Sequence, residues 1–204
     1  RLPGLTMLGV AIHIGSQIVD LAPFEESFER ALELIDQLRA MGHDIQRCNL
    51  GGGLGIPYAD ETPPTPAEYG RMIKRMTANR NLDLVLEPGR VLVGNAGILV
   101  AKFIHEKHEG RRFVIVDAAM NDLIRPAMYD SWHDILPVAQ VAPDAVLSPA
   151  DVVGPICETG DALAKGRELP PFAAGDLIAL RSAGAYGAVM ASTYNSRPLV
   201  AEVM

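Results

Sequence analysis

Along the first ninety residues, apolar positions alternate between a period of two or less and a period near 3.6. Residues 8–15 form a mostly apolar run that Ser16 and Gln17 close, which predicts a strand. From Pro23 the apolar residues Phe24, Phe28, Ala31, Leu32, Ile35 and Leu38 recur at helical spacing, and Gly42 stops the pattern. Residues 45–50 return as a second strand, ended by Gly51-Gly52-Gly53-Leu54-Gly55. A Pro-rich loop then leads to a second helix, with Thr65 as its cap, Pro66 at its first position and Glu68 three residues after the cap. Residues 82–87 make a third strand: Leu84-Val85-Leu86 reads as a buried run, and Glu87-Pro88-Gly89-Arg90 as the turn that ends it. The order strand, helix, strand, helix, strand predicts a parallel sheet with right-handed crossovers.

From Asn95 the helical period disappears. Residues 96–104, 112–117, 151–153, 176–181 and 188–194 read as strands broken by Gly, Pro and polar turns, which predicts an antiparallel sheet, barrel or sandwich. The boundary falls near Gly94, so the fold class is α/β over residues 1–94 followed by an all-β domain over 95–204.

With 49% hydrophobic residues in 204, the chain can bury a core, and no apolar run approaches the length of a membrane span. A net charge of −7 argues against nucleic acid as the main partner and leaves small molecules. Cys48 and Cys157 lie far apart and suit a reducing compartment, so a cytoplasmic location is expected. The opening Arg1-Leu2-Pro3-Gly4 has no signal-peptide architecture, and both ends are expected to be cut from a longer chain.

Candidate chemistry sits at the predicted strand ends. Three successive glycines let backbone N–H groups approach an anion, although the run could equally be a turn with unusual dihedrals. His13 could face a ligand or be a satisfied core histidine, and Glu87 could hold a ligand or merely pair with Arg90. All three fall at the C-terminal ends of successive parallel strands, which share one mouth in an α/β barrel. A flat imidazole, a phosphate cradle and a carboxylate able to hold a protonated ring nitrogen suit an aromatic phosphate such as pyridoxal phosphate. No metal site is expected.

The runs His13-Ile14-Gly15-Ser16-Gln17, Gly51-Gly52-Gly53-Leu54-Gly55, Glu87-Pro88-Gly89-Arg90, Arg125-Pro126-Ala127-Met128-Tyr129, Gly154-Pro155-Ile156-Cys157-Glu158 and Gly184-Ala185-Tyr186-Gly187 resemble those of the diaminopimelate decarboxylases. These belong to the alanine-racemase-like, fold type III pyridoxal-phosphate enzymes. The resemblance implies that residues 1–94 are the last three strand-helix units of a TIM (β/α)8 barrel, and that the rest is most of the family's β domain. It gives His13 the role of stacking on the cofactor ring, Ser16, Gly52, Gly53 and Gly89 that of cofactor contacts, and Glu87 that of keeping the pyridine nitrogen protonated. Arg90 and Tyr186 match residues contacting both cofactor and substrate.

Cys157 matches the proton donor that acts after decarboxylation; a thiol with an unperturbed pKa of about 8.5 is mostly protonated yet able to give up its proton near neutrality. Without its polar neighbours Glu158 and Asp161 it would read as a small buried hydrophobe. The remote ammonium and carboxylate of the substrate the resemblance implies need an anion and a cation together, which Glu158 and Arg125, with Tyr129 one helical turn on, are expected to supply, a guanidinium being the natural carboxylate reader. Arg125 could otherwise be a solvated surface residue.

The family holds its cofactor on a lysine of the first barrel strand. Lys74 on the second helix, Lys102 and Lys107 flanking a strand, and Lys165 in a Gly-rich turn do not fit, so the resemblance implies that this lysine precedes the chain and that the chain alone is inactive. It also implies a homodimer with shared active sites, in which the Cys157-Glu158 loop completes the partner's site. Two other readings stay open: decarboxylation of ornithine, arginine, carboxynorspermidine or carrier-bound glutamate, and a non-catalytic relative that only binds partners.

Overall fold

The computed structural model describes residues 3–203; Arg1, Leu2 and Met204 lie outside it. Two compact units emerge, one built from residues up to Pro57 and from Glu61 to Val91, the other from Tyr58–Asp60 and from Leu92 onward. Among the described residues no helix is long and apolar enough to cross a membrane.

The first unit has strands β1 (Gly9–Ala11), β2 (Arg47–Asn49) and β3 (Asp83–Val85) in the order β1-β2-β3, all parallel, with helices α1 (Ala22–Ala40) and α2 (Pro66–Thr77) in the connections. On α1, Phe24, Phe28, Leu32 and Ile35 recur every three to four positions and pack with Cys48 and Leu50 of the sheet and Tyr69, Met72 and Ile73 of α2. Tyr69 meets Phe24 edge-on at 4.9 Å. Each such buried side chain contributes about 2 kcal/mol, so α1 is held by its stripe rather than by propensity. The expected capping box closes α2: the Thr65 hydroxyl accepts from the Glu68 amide, and the Glu68 carboxylate accepts from the Thr65 amide.

The strands are shorter than the apolar runs that announced them. Parallel hydrogen bonds nevertheless continue past their ends, from the Ile12 amide to Asn49 O, from Leu50 to Val85 O and from Glu87 to Gly51 O. The sheet-end turns are therefore part of the ladder. Leu84 and Leu86, expected to be buried, are 39% and 44% exposed in this chain, where β3 pairs with β2 alone among the described strands.

In the second unit a six-stranded sheet runs in the order β6-β9-β4-β5-β7-β8, from β4 (Leu99–His108), β5 (Arg112–Val116), β6 (Ile135–Pro137), β7 (Ser148–Val153), β8 (Ala162–Leu169) and β9 (Leu177–Leu180). The expectation of a purely antiparallel sheet is corrected: β5 and β7 pair in parallel, and the sheet is mixed. Its core holds Phe103, Val114, Val116, Val152, Leu163, Ile178 and Leu180.

Further corrections concern single elements. A one-turn helix α3 (Arg90–Val93) follows β3, and a short helix α4 (Arg125–Tyr129) lies within the stretch expected to hold only strands. Residues 188–194 form no strand: two 3-10 turns, Ala188–Met190 and Tyr194–Ser196, take their place, entered from Tyr186 at φ 58°. The strand-like run toward Met204 carries no strand over residues 199–203. Lys165 lies within β8, and Lys102 and Lys107 within β4. The polar Lys-Gly-Arg-Glu stretch hid β8 from its pattern. There Gly166, at φ 61°, absorbs a register irregularity against β7 while its amide donates to the Asp151 carboxylate at 2.8 Å.

Candidate active site

At the C-terminal tip of the parallel sheet, the glycine run lies between the ends of β1 and β3. Gly51 has φ +70°, and a Cβ there would stand 2.3 Å from Ile12 O and 3.3 Å from His13 Nδ1. Gly52 has no room on the other side, since a Cβ would stand 2.1 Å from Glu87 O, and at Gly53 (φ +103°) it would meet Gly15 O at 2.3 Å. Close backbone approach thus requires glycine three times in succession. The imidazole of His13, the glycine run and Glu87 are neighbours at one sheet end.

Asn49, the last residue of β2, organises this tip. Its Oδ1 accepts from the Gly51 amide at 2.9 Å, and its Nδ2 donates to Glu87 Oε1 at 2.7 Å. Glu87 is exposed, so its carboxylate is oriented by an amide without being buried. His13 is exposed as well, which removes it from the core. Ser16 and Gly89 are exposed and Arg90 is half-buried at the start of α3. Gln17 staples the turn after β1 to the loop after β2: its Nε2 donates to Ile56 O at 2.6 Å and its Oε1 accepts from the Ile56 amide at 3.2 Å.

The amides of Gly52 and Gly53 donate to no protein acceptor among the described residues, although Gly52 is buried. A buried N–H without a partner costs on the order of 1–3 kcal/mol unless a ligand or water accepts from it. Together with the cradle that a Cβ would fill, these donors fit the phosphate of a cofactor.

The second unit carries a different group. Cys157 and Glu158 sit on an exposed turn between β7 and β8 that the buried carboxylate of Asp161 holds from beneath. Asp161 accepts from the Ile156 amide and from the Met120 amide, both at 2.6 Å, and backbone bonds join Gly154 to Asp161 O and Asp161 to Glu158 O. Burial pushes the Asp161 carboxyl up and the two amides hold it back in part. Gly154 is required because a Cβ would stand 2.4 Å from Asp161 Oδ2. Cys157 is thus an exposed free thiol, unlike Cys48, which is buried in the first unit's core with its thiol pushed up by burial. Glu158 Oε1 accepts from the Tyr194 hydroxyl at 2.6 Å, and the carboxylate in turn pushes the phenol up, keeping it a donor.

Arg125, which begins α4, is buried rather than solvated. Its Nη1 lies 2.8 Å from His133 Nε2, and its guanidinium lies 4.6 Å over the Tyr58 ring. Tyr129, at the other end of α4, is exposed. Tyr186 is 39% exposed and left-handed at φ 58°, beside Gly184, where a Cβ would stand 2.0 Å from Val93 O. A non-glycine residue held there marks backbone strain of the kind stored at functional sites. Asn49, Tyr58, His133 and Tyr194 carry no role in the sequence analysis, and Asp161 counts there only as a polar neighbour that favours a functional Cys157. An Asn ending an apolar strand and an Asp closing the Gly-Pro-Ile-Cys-Glu turn were visible signals, whereas Tyr58 and Tyr194 had none.

The chain belongs to the pyridoxal-dependent decarboxylase family: the model of that family's C-terminal sheet domain matches residues 17–184. Within that class it is 55% identical over 205 residues to the diaminopimelate decarboxylase of Zymomonas mobilis, covering 99% of this chain and 48% of that protein. It is 51% identical to the diaminopimelate decarboxylase of Vibrio cholerae, covering 100% of this chain and 48% of that one. Among solved structures it matches diaminopimelate decarboxylase from Helicobacter pylori complexed with L-lysine, with a TM-score of 0.91, 39% identity, and 97% and 49% of the two chains covered. It also matches SrLDC in complex with PLP and cadaverine, with a TM-score of 0.86, 27% identity, and 96% and 51% covered. The chain spans about half the length of the curated relatives it matches.

Proposed function

We infer that the full-length protein is a pyridoxal-phosphate-dependent decarboxylase that converts meso-diaminopimelate to L-lysine and carbon dioxide, and that residues 1–94 are the end of its α/β barrel. The observation that carries this reading is the pair of unpartnered amides at Gly52 and Gly53 beside His13 and the Asn49-oriented carboxylate of Glu87. Gly52 and Gly53, with Ser16, Gly89, Arg90 and Tyr186, would hold the phosphate end of the cofactor, and His13 would lie against its ring. When bound, pyridoxal phosphate supplies an electron sink for the pair released as carbon dioxide departs.

The chain's own residues do the rest. Glu87 holds a proton on the ring nitrogen, and Asn49 keeps its carboxylate at one bearing. Cys157, on its Asp161-held turn, delivers a proton from Sγ to the substrate carbon. Glu158 attracts the remote ammonium of the substrate, and Arg125, with Arg90, Tyr129 and Tyr186, its carboxylates. The thiol loop serves the partner's site in a homodimer, and light scattering on the full-length protein checks that assembly.

The experiment is a substrate panel on the full-length protein with pyridoxal phosphate, reading carbon dioxide and product. Release from meso-diaminopimelate with L-lysine formed is the expected result. Release from ornithine or arginine but not from diaminopimelate overturns the substrate, and release from none overturns the activity.

A further inference from the structure

We propose that His133 is a positioning residue for Arg125: a buried imidazole that accepts from the guanidinium and holds it over the Tyr58 ring, so that Arg125 keeps one bearing toward a substrate carboxylate. The proposal rests on the reading of Arg125 as the group that meets the remote carboxylate.

The geometry leaves His133 one role. It is 0% exposed, and its Nδ1 lies 2.8 Å from Arg181 O at the end of β9. A carbonyl can only accept, so Nδ1 carries the proton and donates. In a neutral ring Nε2 then bears the lone pair, and it accepts from Arg125 Nη1–H at 2.8 Å. A protonated ring would offer Arg125 no acceptor and would face it with a second cation. Burial, together with the charges of Arg125 and Arg167, pushes the imidazole down to about 4, against the pull of the Arg181 carbonyl. Neutrality is therefore built into the site.

Two contacts hold the guanidinium at once: the hydrogen bond from Nη1 to Nε2, and the face of the Tyr58 ring, whose centroid lies 4.6 Å from Cζ. Tyr58 in turn meets the His133 ring edge-on, with centroids 5.6 Å apart and planes at 81°. The chain reaches this arrangement through Asp130, left-handed at φ 51°, whose amide closes onto Arg125 O. That turn ends α4 and brings the backbone round, so that a residue eight positions along returns to the side chain of Arg125. A carboxylate in place of His133 would orient the guanidinium equally well but would cancel the charge a substrate carboxylate needs. A neutral acceptor orients it and leaves the charge.

The test uses the full-length protein loaded with pyridoxal phosphate, in three variants: His133→Phe, which keeps an aromatic ring and removes the acceptor, His133→Gln, which has both an acceptor and a donor, and Arg125→Lys. KM and kcat are measured for meso-diaminopimelate, with inhibition constants for the product L-lysine, which keeps the remote carboxylate, and for cadaverine, which has none. The expected result for His133→Phe is a rise of about tenfold or more in KM for diaminopimelate and in the inhibition constant of L-lysine with kcat within about twofold, partial recovery in His133→Gln, and an unchanged inhibition constant for cadaverine. Unchanged KM in His133→Phe while Arg125→Lys raises it overturns the positioning role and leaves Arg125 standing. An unchanged KM in Arg125→Lys overturns the reading of Arg125 itself. Equal weakening of diaminopimelate, L-lysine and cadaverine overturns the proposal in favour of a general structural role. Should the His133 variants fail to fold, nitrogen-15 NMR of the wild-type imidazoles decides: one ring that stays neutral and Nδ1-protonated down to about pH 5 supports the proposal, and titration of every ring near 6.5 contradicts it.

Discussion

At the sheet tip of the first unit, His13, Ser16 and Glu87 stand exposed, and the precision lies in backbone: three glycines with no room for a Cβ, and amides left over for a ligand. In the second unit the exposed groups, Cys157, Glu158 and Tyr129, rest on buried polar side chains, Asp161 beneath the thiol turn and His133 behind Arg125. One region is made by backbone shape and the other by buried hydrogen bonds. They should fail in different ways: the first by steric substitution, the second by changing a proton or a single acceptor.

The largest effect is expected from Gly52→Ala in the full-length protein. A Cβ at 2.1 Å from Glu87 O must displace either the glycine run or the carboxylate strand. Cofactor affinity, followed by absorbance titration, should fall by about a hundredfold, on the order of 3 kcal/mol. An unchanged affinity would mean that the cradle is not where the phosphate sits.

The second break is by acid. The unfolded His133 imidazole takes up a proton near 6.5 and the folded one only near about 4, so between those values the unfolded state binds more protons. Its contribution is complete above about pH 6.5 and is lost as pH falls toward 4. A difference of about 2.5 pH units corresponds to about 3 kcal/mol at most. Denaturant midpoints between pH 7 and 4 should fall in wild type and fall less steeply in His133→Gln.

Asp161→Asn comes next. The amide oxygen can still accept from one buried N–H, but the NH2 opposes the other, which costs about 2 kcal/mol by the usual penalty of an unmatched buried donor. Thermal unfolding and the alkylation rate of Cys157 read the two consequences, and faster alkylation is expected as the turn loosens. Retention of both would show that the turn does not depend on this carboxylate. The smallest effect serves as contrast: Gly70, inside α2, has open space where a Cβ would stand, with no neighbour within 4 Å, so Gly70→Ala should stabilise by about 1 kcal/mol. Loss of stability there would undercut the steric argument made for Gly52.

What could be read from sequence follows the same division. The tip of the first unit was legible because its signals are local: the helical stripe of Phe24, Phe28, Leu32 and Ile35, the Thr65 and Glu68 capping box, and glycines placed directly after an apolar run. Strand lengths were not, since they depend on the pairing of each strand with its neighbours. In the second unit β8 hid behind Lys165-Gly166-Arg167-Glu168, where only the Asp151 bond and a left-handed glycine keep the ladder. The 188–194 run read as a strand although its entry at Tyr186 is left-handed, which pattern alone does not reveal. His133 could not be found because its role comes from Arg181 O and Arg125, 48 and 8 residues away in sequence.

The central claim, that the Gly52 and Gly53 amides and the Asn49-oriented Glu87 hold pyridoxal phosphate for decarboxylation, is tested most directly by Glu87→Gln in the full-length protein. The account predicts that cofactor still binds, since the phosphate cradle is intact, while carbon dioxide release from meso-diaminopimelate falls by about a hundredfold or more. A variant that binds cofactor and releases carbon dioxide at the wild-type rate would contradict it.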